Sequence, residues 1–373
     1  MNPREGDVNL RWVISGGGTG GHVTPALALG EVLREDGDDV LFVGTRRGIE
    51  NRLVPEAGFS LEALDSRPLV ARSLFERVAG IVALLWSTWQ ARRLLARFDA
   101  DRVIAVGGYA SAPAALAAAW RGTPMALVNT DVLPGAANRL LARFARRIFV
   151  GFPRATESFG RAADRVEVSG VPLRRALCCA FARPPDPREP GPGRRLFVFG
   201  GSQGARQIND AMIAALPSLA KAEPPIDVVH QTGEADRERV NQAYREAGVA
   251  AEVVAFESDM PARYRAADLV VCRAGAISIA ELALAGRPAV LIPLAHVGGG
   301  EQFANARVLE EIGAARSLDS RDLDAQALAD TLRALLADDE ALAQMGAAAA
   351  SLARPDAARR IVERCRQLGE EPA

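Results

Sequence analysis

Trp12-Val13-Ile14-Ser15-Gly16-Gly17-Gly18-Thr19-Gly20-Gly21-His22 decides the fold. An apolar run ends in a glycine turn, and a helical pattern follows from Ala26 to Leu33, closed near Gly37. Strand, glycine turn and helix start are how a parallel α/β fold turns backbone N–H groups toward an anion. The glycines permit a tight turn and let a ligand approach the main chain. His22 then falls in the first helical turn, facing the same crevice. A helix N-terminus disfavours a cation, so the imidazole there is expected to be neutral and able to accept a proton.

Gly16-x-Gly18-x-x-Gly21 satisfies the dinucleotide fingerprint as a bare pattern, but that reading needs an acidic residue at the end of the second strand. The second strand, Val40-Leu41-Phe42-Val43, ends in Gly44-Thr45-Arg46, with no carboxylate to hold a ribose. The P-loop reading fails as well, because His22-Val23 stands where Lys-Ser/Thr is required. A turn that merely packs strand on helix remains the plain alternative.

The 373 residues suffice for two domains of ordinary size. A net charge of −1 gives no basic field for nucleic acid, and 5% aromatic residues leave little for a base-stacking surface. Cys178, Cys179, Cys272 and Cys365 lack metal-ligand spacing. Met1-Asn2-Pro3-Arg4-Glu5 does not read as a signal peptide, and no run reaches the ~18 apolar residues of a spanning helix.

Strand and helix patterns alternate from residue 11 to about 170, with strands near 11–16, 40–44, 102–106, 125–128 and 147–150. A doubly wound parallel sheet follows, with ligands beyond the carboxyl ends of its strands. A second glycine turn, Gly107-Gly108-Tyr109, and the stretch Asn129-Thr130-Asp131 lie there. Arg67 to Phe98 differs in character: Leu74, Phe75, Val78, Ile81, Val82, Leu85, Trp86 and Trp89 are set among six arginines. It reads either as a helix lying on an anionic membrane surface or as one buried against the sheet with solvated arginine ends.

Val168 to Arg174 reads as a hinge, and a proline-rich stretch from Arg183 to Arg195 as an exposed loop. A fresh unit then starts with Leu196-Phe197-Val198-Phe199 and the turn Gly200-Gly201-Ser202-Gln203-Gly204-Ala205. Further strands fit 228–230, 253–256, 269–271 and 289–292. Cys272 to Ser278 leaves a strand and enters a helix holding Glu281, whose carboxylate suits the paired hydroxyls of a ribose; a capping role is the alternative. Gln302 and Asn305 open the next helix, where amides suit sugar hydroxyls. His230 and His296 lack partner spacing and read as structural.

Two such domains with a crevice between them describe the GT-B architecture. Gly17-Gly18-Thr19-Gly20-Gly21-His22-Val23-x-Pro25 closely resembles the signature of the MurG-type transferases of peptidoglycan synthesis. Gly107-Gly108-Tyr109-x-Ser111-x-Pro113, Pro134-Gly135-x-x-Asn138, Gly200 to Ala205, His230-Gln231-Thr232-Gly233 and Cys272-Arg273-Ala274-Gly275-Ala276 match in order. The resemblance, running from about residue 12 to 316, implies two Rossmann-like doubly wound parallel-sheet domains facing across a cleft. They would be residues 1–170, with a C-terminal helix at 354–370 packing back, and 171–353.

The implied reaction is inverting transfer of N-acetylglucosamine from UDP-GlcNAc to the C4 hydroxyl of undecaprenyl-linked lipid I. The implied place is the cytoplasmic face of the bacterial inner membrane, reached through residues 67–98. Thr19, Gly20, Gly21, Arg174 and Ser202 would contact the donor. The turn Ala276-Ile277-Ser278-Ile279-Ala280-Glu281 would hold the uridine ribose and diphosphate, and Gln302 the sugar. His22 is the candidate base or orienter, with Asp131 second. No cofactor is implied, and the absence of an Asp-x-Asp pair at a strand end leaves a metal unrequired. The sequence departs from the family where Val128-Asn129-Thr130-Asp131 replaces His-Glu-Gln-Asn, placing a carboxylate where an asparagine would meet the donor, and where Gly298-Gly299-Gly300-Glu301 precedes Gln302. The rival readings are a UDP-GlcNAc 2-epimerase and a non-catalytic nucleotide-sugar or lipid-binding protein.

Overall fold

The computed structural model describes residues 9–65, 74–182, 193–201, 203–294, 299–321 and 323–369. The chain divides into two compact units, residues 1–175 with 355–373 and residues 176–354. Unit 1 holds β1 (Arg11–Ser15), α1 (Gly20–Glu35), β2 (Asp39–Thr45), α2 (Glu50–Glu56), β3 (Ser60–Leu64), α3 (Leu74–Phe98), β4 (Arg102–Ala105), α4 (Ala112–Arg121), β5 (Met125–Asn129), α5 (Ala136–Leu141), β6 (Arg147–Val150) and β7 (Val166–Val168). Unit 2 continues from α6 (Arg175–Ala180), most of which it holds, with β8 (Arg194–Phe199), α7 (Arg206–Leu219), β9 (Ile226–Gln231), α8 (Arg237–Ala247), β10 (Ala251–Val254), α9 (Met260–Ala266), β11 (Leu269–Cys272), α10 (Ala276–Ala285), β12 (Ala289–Leu291), α11 (Glu301–Glu311), β13 (Ala315–Ser317), α12 (Ala325–Leu336) and α13 (Asp339–Ser351). α14 (Ala357–Arg366) returns to unit 1.

All strand pairs are parallel, in the orders β3-β2-β1-β4-β5-β6-β7 and β10-β9-β8-β11-β12-β13. The central strands are buried on both faces, so β1, β4, β5 and β11 read as unbroken apolar runs rather than alternations. Each sheet reverses direction at one place, between β1 and β4 in unit 1 and between β8 and β11 in unit 2. Such a reversal opens a crevice at the strands' carboxyl ends. All four glycine-bearing turns singled out in the sequence leave those strands.

The sequence reading missed β3, β7 and β13. All three are short sheet edges, where one neighbour suffices and the apolar signal is weak. α14 is amphipathic: Ile361, Val362, Cys365 and the following Leu368 are buried against Trp12, Leu27, Leu29 and Phe42. Arg366 pairs with Asp36 and Asp38, and Arg364 with Glu167. No helix among the described residues is long and apolar enough to cross a membrane.

Candidate functional site

Each unit builds its own constellation at its switch point. In unit 1 the first glycine turn does not stand open along its whole length. Gly16 packs on Val106, Gly17 and Gly18 wrap a buried carboxylate, and the Tyr109 ring lies over Gly18. The carboxylate is Glu50, which accepts from the Gly18 N–H (2.9 Å), the Thr45 N–H (2.8 Å) and the Thr45 hydroxyl (2.8 Å). The glycines permit close approach as the sequence suggested, but at Gly17 and Gly18 it is an internal residue that makes it. Thr19, Gly20 and Gly21 remain at the surface. The first intrahelical bonds run from His22 and Val23 to the Thr19 carbonyl, so the Gly20 and Gly21 amides belong to the unsatisfied first turn.

His22 is half-buried, its Nδ1 3.0 Å from Thr19 Oγ1. The second glycine turn seats the ring: a β-carbon at Gly107 would lie 3.0 Å from His22 Cδ2, and one at Gly108 3.1 Å from Nδ1. Burial lowers the imidazole's proton affinity below the ordinary value, against the opposing pull of Asp131, Glu50 and a hydrogen bond to the Gly17 backbone. The neutral form expected from the helix start is therefore favoured, with burial as its main cause. Asp131 thus lies within electrostatic reach of the imidazole. Asn129 fixes that loop by donating to the Asp131 carbonyl (2.6 Å), and Asn138 donates to Asn129 Oδ1 (2.8 Å).

Arg174 does not stand free for a diphosphate. Its Nε donates to Glu31 Oε1 at 2.7 Å and its Nη2 lies 2.6 Å from the same oxygen. To meet a donor it would first have to leave that ion pair.

Unit 2 carries a cavity of about 400 Å³ lined by Gly200, Gly201, Gly204, Ala205, Arg273, Gly275, Ser278, Leu294 and Gln302. The starts of α7, α10 and α11 meet there, since Ala205 and Gly275 are the N-cap residues of two and Gln302 lies in the first turn of the third. Converging helix starts present unpaired N–H groups and positive dipole ends to one volume. Arg273 adds a guanidinium, held by the Ile292 carbonyl (3.0 Å) and Gln207 Oε1 (2.9 Å). Gln302 is pinned through its oxygen, which accepts from the Leu294 N–H (2.9 Å). Its amide nitrogen remains as the donor.

Beneath the turn, Gln231 donates to the Gly201 carbonyl (2.8 Å) and Asn209 to the Thr232 carbonyl (3.1 Å). His230 is wholly buried between Tyr244 and Asn209, and burial pulls it to about 3, so it is neutral and structural. A β-carbon at Gly204, where φ is +76°, would stand 1.9 Å from the Thr232 oxygen. Gly204→Ala is therefore expected to displace the turn and weaken UDP binding more than tenfold, since the clash adds to the roughly 1–2 kcal/mol of a left-handed non-glycine residue. Calorimetric titration with UDP checks this.

Ala276, Ile277 and Ser278 open α10, and their N–H groups fall in its unpaired first turn. Ile279 donates to the Gly275 carbonyl and its side chain is fully buried, and the Ala280 N–H falls within the helical ladder. Neither offers a free N–H, so within 276–281 the backbone donors are those of Ala276, Ile277 and Ser278. Glu281 stands one turn beyond Ser278 on the same face, outside the cavity wall proper. It accepts from the Tyr264 hydroxyl at 2.8 Å, and burial lifts its carboxyl to about 7, against the opposing effect of that bond. Asn305 is buried and donates to the Ala274 carbonyl, so it braces the loop rather than facing a sugar. Ser202 and His296 lie outside the described residues. Glu50 was missed because the turn it fills, at Gly17 and Gly18, lies far from it in sequence; Arg273 appeared only as part of a motif.

Residues 12–150 match the glycosyltransferase family 28 N-terminal domain, and residues 195–361 match its C-terminal domain. The chain belongs to glycosyltransferase family 28. Within the family 28 relatives, a protein of Anaeromyxobacter sp. (strain Fw109-5) is 42% identical over 361 residues, covering 96% of this chain and 93% of its own. It is named UDP-N-acetylglucosamine--N-acetylmuramyl-(pentapeptide) pyrophosphoryl-undecaprenol N-acetylglucosamine transferase. The protein of that name from Syntrophotalea carbinolica is 43% identical over 364 residues, covering 96% and 99%. The crystal structure of MurG from Acinetobacter baumannii matches with a TM-score of 0.80 at 29% identity, covering 96% and 99%. The UDP-GlcNAc 2-epimerase of Neisseria meningitidis, at TM-score 0.68 and 14% identity over 95% and 99%, shares the fold.

Proposed function

We propose that this family 28 chain transfers N-acetylglucosamine from UDP-GlcNAc to the C4 hydroxyl of the N-acetylmuramoyl residue of undecaprenyl-linked lipid I, yielding lipid II. The observation that carries the donor half is the unit 2 cavity, where helix starts and Arg273 converge. A diphosphate is the anion such a site suits, and the relatives' names supply the substrates. As the glycosidic bond breaks, negative charge grows on the departing UDP, where these groups stabilise it. Gln302 orients the sugar, and Glu281 accepts from the ribose hydroxyls.

The acceptor half belongs to unit 1. His22 takes the proton of the attacking hydroxyl, and Asp131 and Glu50 stabilise the resulting imidazolium. Asp131 thereby serves the proton transfer rather than the donor contact that an asparagine would make. Labelled UDP-GlcNAc with and without lipid I tests the reading. Label in lipid supports it. Turnover without lipid favours an epimerase, and binding without turnover a non-catalytic protein.

The chain is further proposed to work at the cytoplasmic face of the inner membrane, as a peripheral protein. α3 buries Ala91, Leu94 and Leu95 in the core, yet presents Ile81, Val82, Leu85, Trp86 and Trp89 on one exposed face. Leu85 and Trp86 are 64% and 54% exposed. Trp86 stacks on Trp89, Arg93 lies over Trp89, and Arg92 lies over the exposed Trp120 of α4. Apolar rings interleaved with guanidinium groups suit an anionic lipid surface. The double variant Leu85→Glu/Trp86→Glu is expected to lose co-sedimentation with phosphatidylglycerol vesicles by more than tenfold, because burying each side chain contributes about 1.5–3 kcal/mol. UDP affinity should stay as it was.

A further inference from the structure

We infer that Glu50 is a positioning residue whose carboxylate permanently fills the anion niche of the first glycine turn and sets the His22 imidazole beside it. The inference rests on the reading of His22 as the base.

Glu50 is 0% exposed. A wholly buried carboxylate is costly unless several donors surround it, and three do. Three glycines make the room. β-Carbons at Gly17, Gly44 and Gly48 would stand 2.4, 2.5 and 1.9 Å from its side-chain atoms. They come from the turn after β1, from within β2 and from the loop before α2. Backbone from three separate places thus leaves room for one and the same carboxylate.

The two units differ at this point. In unit 2 the neighbouring strand sends Gln231 to the turn, where it donates to the Gly201 carbonyl rather than accepting from a turn N–H. In unit 1 the neighbouring loop sends a carboxylate, which accepts from the Gly18 N–H as a phosphate oxygen would. The unit 2 turn lines a cavity and meets a donor from its neighbouring strand, whereas the unit 1 turn carries its own anion. That division keeps the leaving group in unit 2 and places a fixed negative charge behind His22. The groups facing His22 are Glu50 from α2, Asp131 from the loop after β5, the Thr19 hydroxyl from its own helix start and, over Gly18, the Tyr109 phenol.

The test is an NMR titration of the His22 imidazole, assigned by comparison with His22→Ala, in the wild type and in Glu50→Gln. It is paired with lipid I transfer by Glu50→Ala with and without formate. Removing the charge is expected to lower the His22 pKa by about half a unit or more and move the acid limb of kcat with it. Formate is expected to restore transfer by Glu50→Ala severalfold and saturably, by entering the vacated niche. If Glu50→Ala does not fold, as judged by circular dichroism, the Glu50→Gln titration decides alone. An unchanged His22 titration in folded Glu50→Gln would overturn the inference, whatever the transfer assay gives. A wild-type chain that transfers nothing to lipid I, while His22 responds to Glu50→Gln, would sink the proposed function and leave the placement of Glu50 standing.

Discussion

Replacing His22 with alanine is expected to cut turnover with lipid I by about 10²–10⁴-fold, the usual contribution of a positioned general base. UDP affinity should change little, because the cavity proposed for the diphosphate belongs to unit 2 and His22 to unit 1. The ring's polar partners, Thr19 and the Gly17 backbone, both belong to the first glycine turn of unit 1. Its Nδ1 meets Thr19, and the glycines that seat it would face an empty space. Loss of kcat and of kcat/KM for lipid I in equal measure is the pattern of an interaction made in the transition state. A depressed imidazole keeps its base form into mildly acidic solution, so the wild-type acid limb of kcat belongs below the ordinary 6.5. Steady-state kinetics from pH 5 to 9 read both features.

The second large effect concerns Glu281. Its carboxyl is lifted to about 7 by burial, and ribose hydroxyls donate more strongly to the ionised form, which accepts at both oxygens. The proton must therefore leave before the donor binds well. UDP affinity is expected to be constant above about pH 8 and to weaken up to tenfold per unit as pH falls below 7. Glu281→Gln should remove that dependence and weaken UDP binding at pH 8 by roughly 10–150-fold, the loss of a charged acceptor worth about 1.5–3 kcal/mol. Stability should move the opposite way. The folded value lies above the ordinary 4.5, so between those values the folded state holds a proton that the unfolded chain has lost. Stability due to this group falls as pH rises through that window, and the full cost is present above about 7. Glu281→Gln is thus expected to raise Tm at pH 8 and to change it little at pH 4. Scanning calorimetry at the two pH values, beside UDP titrations, separates the binding role from the structural one.

Both sheets were legible because their central strands are short, fully apolar runs ending in glycine turns. β1 and β11 announce themselves in this way, whereas the edge strands β3, β7 and β13 make one partner and carry little signal. The positions of His22, Ser278 and Gln302 followed from strand–turn–helix spacing, which places a residue at a crevice without any tertiary knowledge. What spacing cannot show is which polar group has already found a partner. Arg174 is taken by Glu31, Asn305 by Ala274 and the Gly18 amide by Glu50. Each pairing joins residues distant in sequence, and each gives a polar group an internal partner that spacing does not reveal. Asp131 is the converse case. As a substitution it reads as a repulsion toward the donor; placed beside His22 it becomes a favourable charge.

The most direct test follows ¹³C-labelled UDP-GlcNAc incubated with lipid I, by NMR of the lipid product and of the released nucleotide. One displacement at the anomeric carbon, with His22 drawing the acceptor's proton, predicts a β-linked disaccharide on the lipid and one UDP for each linkage formed. Free hexosamine accumulating with UDP, or an α-configured linkage, would contradict the account.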